Sequence, residues 1–154
     1  MDDEAAKFWA EFEAETGEKV EARCMGSWVD PENPAVPLWG LAVLTDACFR
    51  FRHLPGESWI LSLFKPHGSS STRKRVVDIA VPRASILALE ESSHGLWARL
   101  FGPPFPRFTL VWTAPGEEAA ARRDSFMVDP STGLLPLLRA LAPPPGASAA
   151  KSSP

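Results

Sequence analysis

A polar segment in the middle of the chain carries the residues best suited to hold a ligand. Lys65 and His67 precede a run of serine and threonine at residues 69–72, and Arg73, Lys74 and Arg75 follow it. Lysine acts as a point charge and arginine as a two-pronged donor, while hydroxyl and backbone N–H groups supply further hydrogen bonds. The segment is therefore a candidate site for an anion or an acidic surface.

Two more arginines precede this segment on a predicted strand. Arg50 and Arg52 alternate with Phe49 and Phe51, so they are expected to face solvent and to extend the basic patch. The competing interpretation is that the basic loop is only a solvated surface, or that it pairs with the acidic N-terminal helix.

Residues that could support catalysis are scattered along the chain. The cysteines and histidines show neither C-x-x-C nor H-x-x-x-H spacing, and no G-x-S-x-G or phosphate-loop motif is present. Cys48 and His53 share a predicted hairpin, but the alternation of side chains along a strand places them on opposite faces. The sequence therefore predicts no metal, no cofactor and no enzymatic activity.

The net charge of −3 conceals an uneven distribution. Residues 1–21 hold eight acids and two bases, whereas residues 50–107 hold nine bases and four acids. Only the basic middle is a candidate for attracting an anionic partner. A pI near 5.6, and the lack of aromatic residues within the basic loop, argue against nucleic acid.

Length and composition favour one globular domain. The chain has 154 residues, 45% hydrophobic and 23% charged, which is typical of a protein that buries a core. The acidic start, Met1 to Glu4, is unlike a signal peptide, and no apolar run is long enough to span a bilayer. With only two cysteines, the sequence predicts a cytoplasmic protein with at most peripheral membrane contact.

Periodicity divides the chain into three parts. The N-terminal part, residues 1–18, is a predicted amphipathic acidic helix with Gly17 as its stop and an apolar stripe at i, i+3, i+4 and i+7. Residues 19–142 show alternating segments with turns every 8–12 residues, which favours a barrel or sandwich, and end in a helix over 131–142. That helix has Leu134, Leu137, Leu138 and Leu141 on one face and Ser131 or Thr132 as its N-cap. The Pro/Ala/Ser tail, residues 143–154, is expected to be disordered.

This pattern of elements resembles the pleckstrin-homology-like (PH-like) superfamily, including the GRAM and bacterial PH-like domains. The resemblance is carried by residues 39–46, by the aromatic strand 49–51, by residues 77–86, by the Phe126 strand and by the final leucine helix. It implies a mainly β protein with two flanking helices, in which a small antiparallel barrel of about seven strands is capped by the C-terminal helix. A lipocalin-like barrel and a two-sheet sandwich are the alternative folds.

The resemblance also implies a function. The basic segment looks like the pattern by which some PH domains hold inositol phosphates, so the first hypothesis is a binding module for a partner protein or an acidic lipid headgroup. The alternatives are a barrel that carries a small apolar ligand in a cavity of roughly 300 Å³ or more, and a small enzyme without a recognisable motif. A strand edge, common in such barrels, would also allow a homodimer.

Overall fold

A computed structural model describes residues 2–53, 77–92, 105–117 and 120–142, and these residues form two helices and seven strands. The bounds are α1 Asp2–Thr16, β1 Val20–Val29, β2 Leu38–Thr45, β3 Cys48–His53, β4 Val77–Pro82, β5 Ile86–Glu91, β6 Arg107–Thr113, β7 Ala121–Val128 and α2 Leu134–Leu141. Short 3-10 turns at Arg83–Ser85 and Pro130–Thr132 precede β5 and α2. The predicted tail, residues 143–154, lies outside the described residues.

The strands form one antiparallel sheet in the order β4-β3-β2-β1-β7-β6-β5. β1 connects the two halves because it pairs with β2 along almost its whole length and with β7 through Gly26 to Val29. No ladder joins the outer strands β4 and β5 among the described residues, so the sheet is not closed. The predicted fold class is confirmed: the architecture is mainly antiparallel β with two helices and is consistent with a PH-like fold.

The core is built from side chains at every second strand position, as the alternation predicts. Phe49 and Phe51 on β3 meet Phe108 on β6 and Phe126 on β7, and all four side chains are fully buried. The centroids of their contacting rings lie 5.0–6.3 Å apart, mostly in edge-to-face or tilted geometry. Such pairs add stability beyond the area they bury. Aromatic rings thus fill much of the space between the two halves of the sheet.

The C-terminal helix packs onto this core through a face that matches the predicted one except at one position: Leu134, Leu138 and the partly buried Leu141 contact the core as predicted, but Leu135 takes the place of Leu137. Leu134, Leu135 and Leu138 are buried, whereas Leu137 is 40% exposed. Five leucines in eight positions make two apolar faces almost equivalent in sequence, so the spacing alone could not distinguish them.

The predicted N-cap of this helix is also wrong. Gly133, in the left-handed region at φ 77°, precedes α2, and the side chain of Asp129 instead caps the 3-10 turn by accepting a hydrogen bond from the Ser131 N–H at 2.9 Å. The 3-10 turn occupies the residues that the sequence assigned to the first turn of the helix. β7 likewise begins at Ala121, four residues before the predicted start of this strand at Ser125.

The N-terminal helix lies on the outer face of the sheet. Its predicted apolar stripe, Ala5, Phe8, Trp9 and Phe12, is half-buried, and Gly17 ends the helix at φ 69°. The guanidinium of Arg23 on β1 lies 4.4 Å from the centre of the Trp9 ring, a cation–π contact. α1 therefore covers the back of β1, β2 and β3 rather than contributing to the aromatic core.

Candidate functional site

Several strand ends lie together at one end of the sheet. The pairs Trp28↔Leu38 and His53↔Val77 mark this end for β1, β2, β3 and β4. The pair Thr113↔Ala121 marks it for β6 and β7. Because Trp28 pairs with Phe126, the N-terminal half of β7 runs past the end of β1 toward the same side. We call this side, defined by the strand ends Val29, Leu38, His53, Val77, Thr113 and Ala121, the open end.

The structure describes two of the predicted ligand-binding residues. Arg50 and Arg52 lie on the outer face of β3, opposite the buried Phe49 and Phe51, as the alternation predicts. Arg52 is exposed as expected, but the prediction that Arg50 faces solvent is wrong, because its side chain is only 28% exposed. The other five, Lys65, His67, Arg73, Lys74 and Arg75, lie outside the described residues. The prediction that these residues bind a ligand therefore stays a prediction.

Arg50 is held by Glu18, the second residue after α1. Its Nε donates to one carboxylate oxygen at 3.0 Å and its second terminal nitrogen donates to the other oxygen at 2.5 Å, which makes a bidentate pair. The hydroxyl of Thr45 donates to the same carboxylate at 2.7 Å. The Arg50 hydrogen bonds, and then that of Thr45, hold the pKa of Glu18 below its ordinary value in spite of partial burial.

Acids of the N-terminal segment thus pair with bases of the middle segment. Glu21 on β1 pairs with Arg83 in the 3-10 turn through a single guanidinium nitrogen. Arg52 forms a third, more exposed pair with Asp78 on β4, at 2.8 Å. Three of the middle-segment bases are therefore already neutralised, and the predicted extension of the basic patch by Arg50 and Arg52 is balanced by carboxylates.

The residues that the sequence offers for nucleophilic catalysis do not converge. Cys48 and His53 begin and end β3 on opposite faces, and the ring of His53 bonds to the Trp39 carbonyl at 2.6 Å through Nδ1. Asp46 accepts the Lys19 N–H at 2.9 Å. Burial raises the pKa of the Cys48 thiol, which disfavours the nucleophilic thiolate.

The described residues also offer no grouping suited to a metal ion. Within the described ranges, no three His, Cys, Asp or Glu side chains gather closely enough to hold one. Cys24 and Cys48 are not bonded to each other.

Sequence reasoning missed a polar cluster at the open end. Asp124 on β7 accepts hydrogen bonds from the indole N–H groups of Trp28 and Trp112, each at 2.9 Å. The guanidinium of Arg122 lies 5.5 Å from the centre of the Trp112 ring. The alternation along β7 could have indicated this cluster. Asp124 lies two residues before the buried Phe126, so both side chains are expected on the inward face of the strand.

Comparison with known proteins adds no family to this architecture. No protein-family model matches the sequence, and no curated protein matches it. No helix in the described part of the chain is long and apolar enough to cross a bilayer. The PH-like assignment therefore depends on the element pattern and the sheet order, and membership of that superfamily stays a prediction.

Proposed function

We propose that this protein is a non-catalytic, PH-like binding module that recognises an acidic ligand, a partner protein or an anionic lipid headgroup, through its basic segment 65–75. The observation that carries the proposal is the charge balance of the middle of the chain. The described bases Arg50, Arg52 and Arg83 each pair with a carboxylate. Residues 54–76, in contrast, hold four bases and the single acid Glu57.

The composition of this segment suits an anion. Arginine provides parallel donors for phosphate or carboxylate oxygens, lysine provides a compact charge, and residues 69–72 are all hydroxyl-bearing. The segment belongs to residues 54–76, which follow His53 and precede Val77, and these two flanking residues are paired across β3 and β4. A rigid sheet that holds the residues on both sides of a connecting segment is a usual support for a binding site.

The carrier alternative finds no comparable support among the described residues. Its interior would need an apolar cavity, whereas the four core phenylalanines fill part of the space between the two halves of the described sheet and the cavity that remains there is lined by charged side chains such as Arg122 and Asp124. We therefore argue for the binding module alone, acting in the cytoplasm with at most peripheral membrane contact.

The proposal is tested by sedimentation with vesicles of phosphatidylcholine that contain phosphatidylserine. We expect the unmodified protein to co-sediment with the anionic vesicles and not with pure phosphatidylcholine. Combined Arg73→Glu, Lys74→Glu and Arg75→Glu should reduce binding at least tenfold, which corresponds to about 1.4 kcal/mol. The matched control changes three exposed arginines elsewhere, Arg107, Arg123 and Arg139, to Glu, and should bind normally because the same net charge is altered away from the segment.

A protein partner is distinguished from a lipid by a second probe. If the ligand is an acidic protein surface, a glutamate-rich peptide binds and the vesicles do not, and the triple reversal in 65–75 abolishes peptide binding. Failure of the unmodified protein to bind either probe, or equal loss in the two triple variants, would overturn the proposal. Circular dichroism of each variant confirms that the fold is retained.

A further inference from the structure

A cavity of about 460 Å³ opens between the outer strand β4 and the strands β1, β6 and β7. Residues 77–80 of β4 form one wall, and Trp28, Trp112, Arg122 and Asp124 form the other. This volume lies within the range of about 300–1,000 Å³ that small-molecule sites occupy. Because the cavity combines aromatic side chains with charged ones, its electrostatics decide which ligand it suits.

Asp124 is held in a fixed orientation without being neutralised. Each of its two oxygens accepts one indole N–H at 2.9 Å, from Trp28 on β1 and from Trp112 on β6. A carboxylate oxygen has two acceptor positions, so each retains one after these bonds are made. The two indoles are neutral donors, and therefore they position the carboxylate while leaving its negative charge uncompensated.

The other charges around the cavity are already paired. Arg122 donates to Glu117 at 2.7 Å, and Arg52 donates to Asp78 at 2.8 Å. In the parts of the chain that the structure describes, no ion pair engages Asp124. The cavity therefore presents one carboxylate that lacks a cationic partner among the described residues.

The aromatic side chains of the cavity, like Asp124, favour a positively charged ligand. The π-face of an indole attracts cations, and Trp gives the strongest contacts of this kind. Arg122 already occupies such a position against Trp112, at 5.5 Å from the ring centre. A guanidinium is thus compatible with the surface of this cavity.

From these features we propose that the cavity is a binding site for an organic cation, a guanidinium or alkylammonium group, that pairs with Asp124 between the two tryptophans. The group is carried by a free small molecule or by an arginine or lysine side chain of a partner. This site is independent of the basic segment, because it recognises the opposite charge through different residues.

The test follows the indole N–H signals of the ¹⁵N-labelled full chain by NMR, since two of these six groups contact Asp124 directly. Trp28→Phe and Trp112→Phe assign the two signals. The probes are acetyl-arginine methylamide, its neutral isostere acetyl-citrulline methylamide, and tetramethylammonium. We expect the arginine derivative and tetramethylammonium to shift both signals, and citrulline to bind at least tenfold more weakly, because only the cations pair with the carboxylate.

Three variants locate the effect. Asp124→Asn should weaken binding of the arginine derivative at least tenfold, whereas Glu90→Gln, which removes one carboxylate charge on the outer face of β5, should leave binding within about twofold. Asp78→Asn, at the exposed second carboxylate of the cavity, should weaken binding only about two- to threefold. If Asp124→Asn disturbs the fold, the arginine–citrulline comparison on the unmodified protein decides the question alone.

The source of the cation is identified with a capped pentapeptide that has one arginine between alanines. Tighter binding of the peptide than of the single derivative, by tenfold or more, identifies a protein side chain, and equal binding identifies a free cation. Equal binding of arginine and citrulline, or indole signals that do not move at tens of millimolar probe, would falsify the proposal.

Discussion

At the scale of single residues, polar groups of this protein are stabilised by partners that lie far away in sequence. Glu18 bonds to Thr45 and Arg50, and Asp124 bonds to Trp28, which is 96 residues away. The alternation of side chains along a strand predicts which face of the sheet a side chain occupies, and it does so correctly for Arg50. It cannot predict their partners, because the partners depend on which strands become neighbours.

The Glu18–Arg50 pair should stabilise the fold in a pH-dependent way. Arg50 and Thr45 lower the pKa of Glu18 in the folded state, so its contribution is fully present above the ordinary value of 4.5 and is lost as pH falls through the lower folded value. We expect Glu18→Gln to reduce the free energy of unfolding at pH 7 by about 1–3 kcal/mol, because it leaves a partly buried guanidinium short of a charged acceptor.

The measurement is urea unfolding of both proteins at pH 7 and again below pH 4. The difference between them should shrink at the lower pH as Glu18 becomes protonated. The control is Glu90→Gln, whose pair with Arg123 is half exposed on both sides, and it should cost less than about 1 kcal/mol. Equal effects of the two substitutions at pH 7, or a Glu18 effect independent of pH, would contradict the argument.

At the scale of elements, the two helices bury their apolar faces to different degrees. The stripe of α1 is only half-buried on the outside of the sheet, whereas three leucines of α2 are almost completely buried against the core. Spacing predicted the α1 stripe correctly because its apolar residues occupy one face only. In α2 the leucines occupy more than one face, and contact with the core selects which of them is buried.

Two substitutions in α2 test which of its leucines pack against the core. Leu138→Ala should reduce the free energy of unfolding by about 2–5 kcal/mol, because Leu138 is 1% exposed and its loss leaves a cavity. Leu137→Ala removes the same atoms from a 40% exposed position and should cost about 0.5 kcal/mol or less. Denaturant unfolding of both variants gives the comparison, and a larger loss for Leu137 would mean that Leu137, as the spacing predicts, is buried against the core.

At the scale of the whole molecule, the alternation predicted a β-rich body with a helix at each end but not the order of its strands. The decisive pairing joins Gly26 on β1 with Val128 on β7, which are about a hundred residues apart. Local patterns contain no information on such a pairing, and the resemblance to a PH-like fold implied a small barrel of about seven strands without the order of those strands. For the same reason the sequence predicted the basic segment, which is contiguous, and missed the cluster at Asp124, which three strands assemble.

The whole-molecule charge distribution leads to a final prediction about vesicle binding. Arg52 on β3 and Asp78 on β4 form a neutral pair, so together they contribute little field at the distance of a membrane surface. The double change Arg52→Gln with Asp78→Asn should therefore leave co-sedimentation with anionic vesicles within about twofold of the unmodified protein. Raising the salt concentration should release the unmodified protein and the double variant from the vesicles to the same extent, because the electrostatic screening length falls from about 8 Å at 0.15 M to about 3 Å at 1 M. A tenfold loss in the double variant would instead assign Arg52 to the binding surface, as the sequence alone predicts, and would mean that a bound anion displaces Asp78 from it.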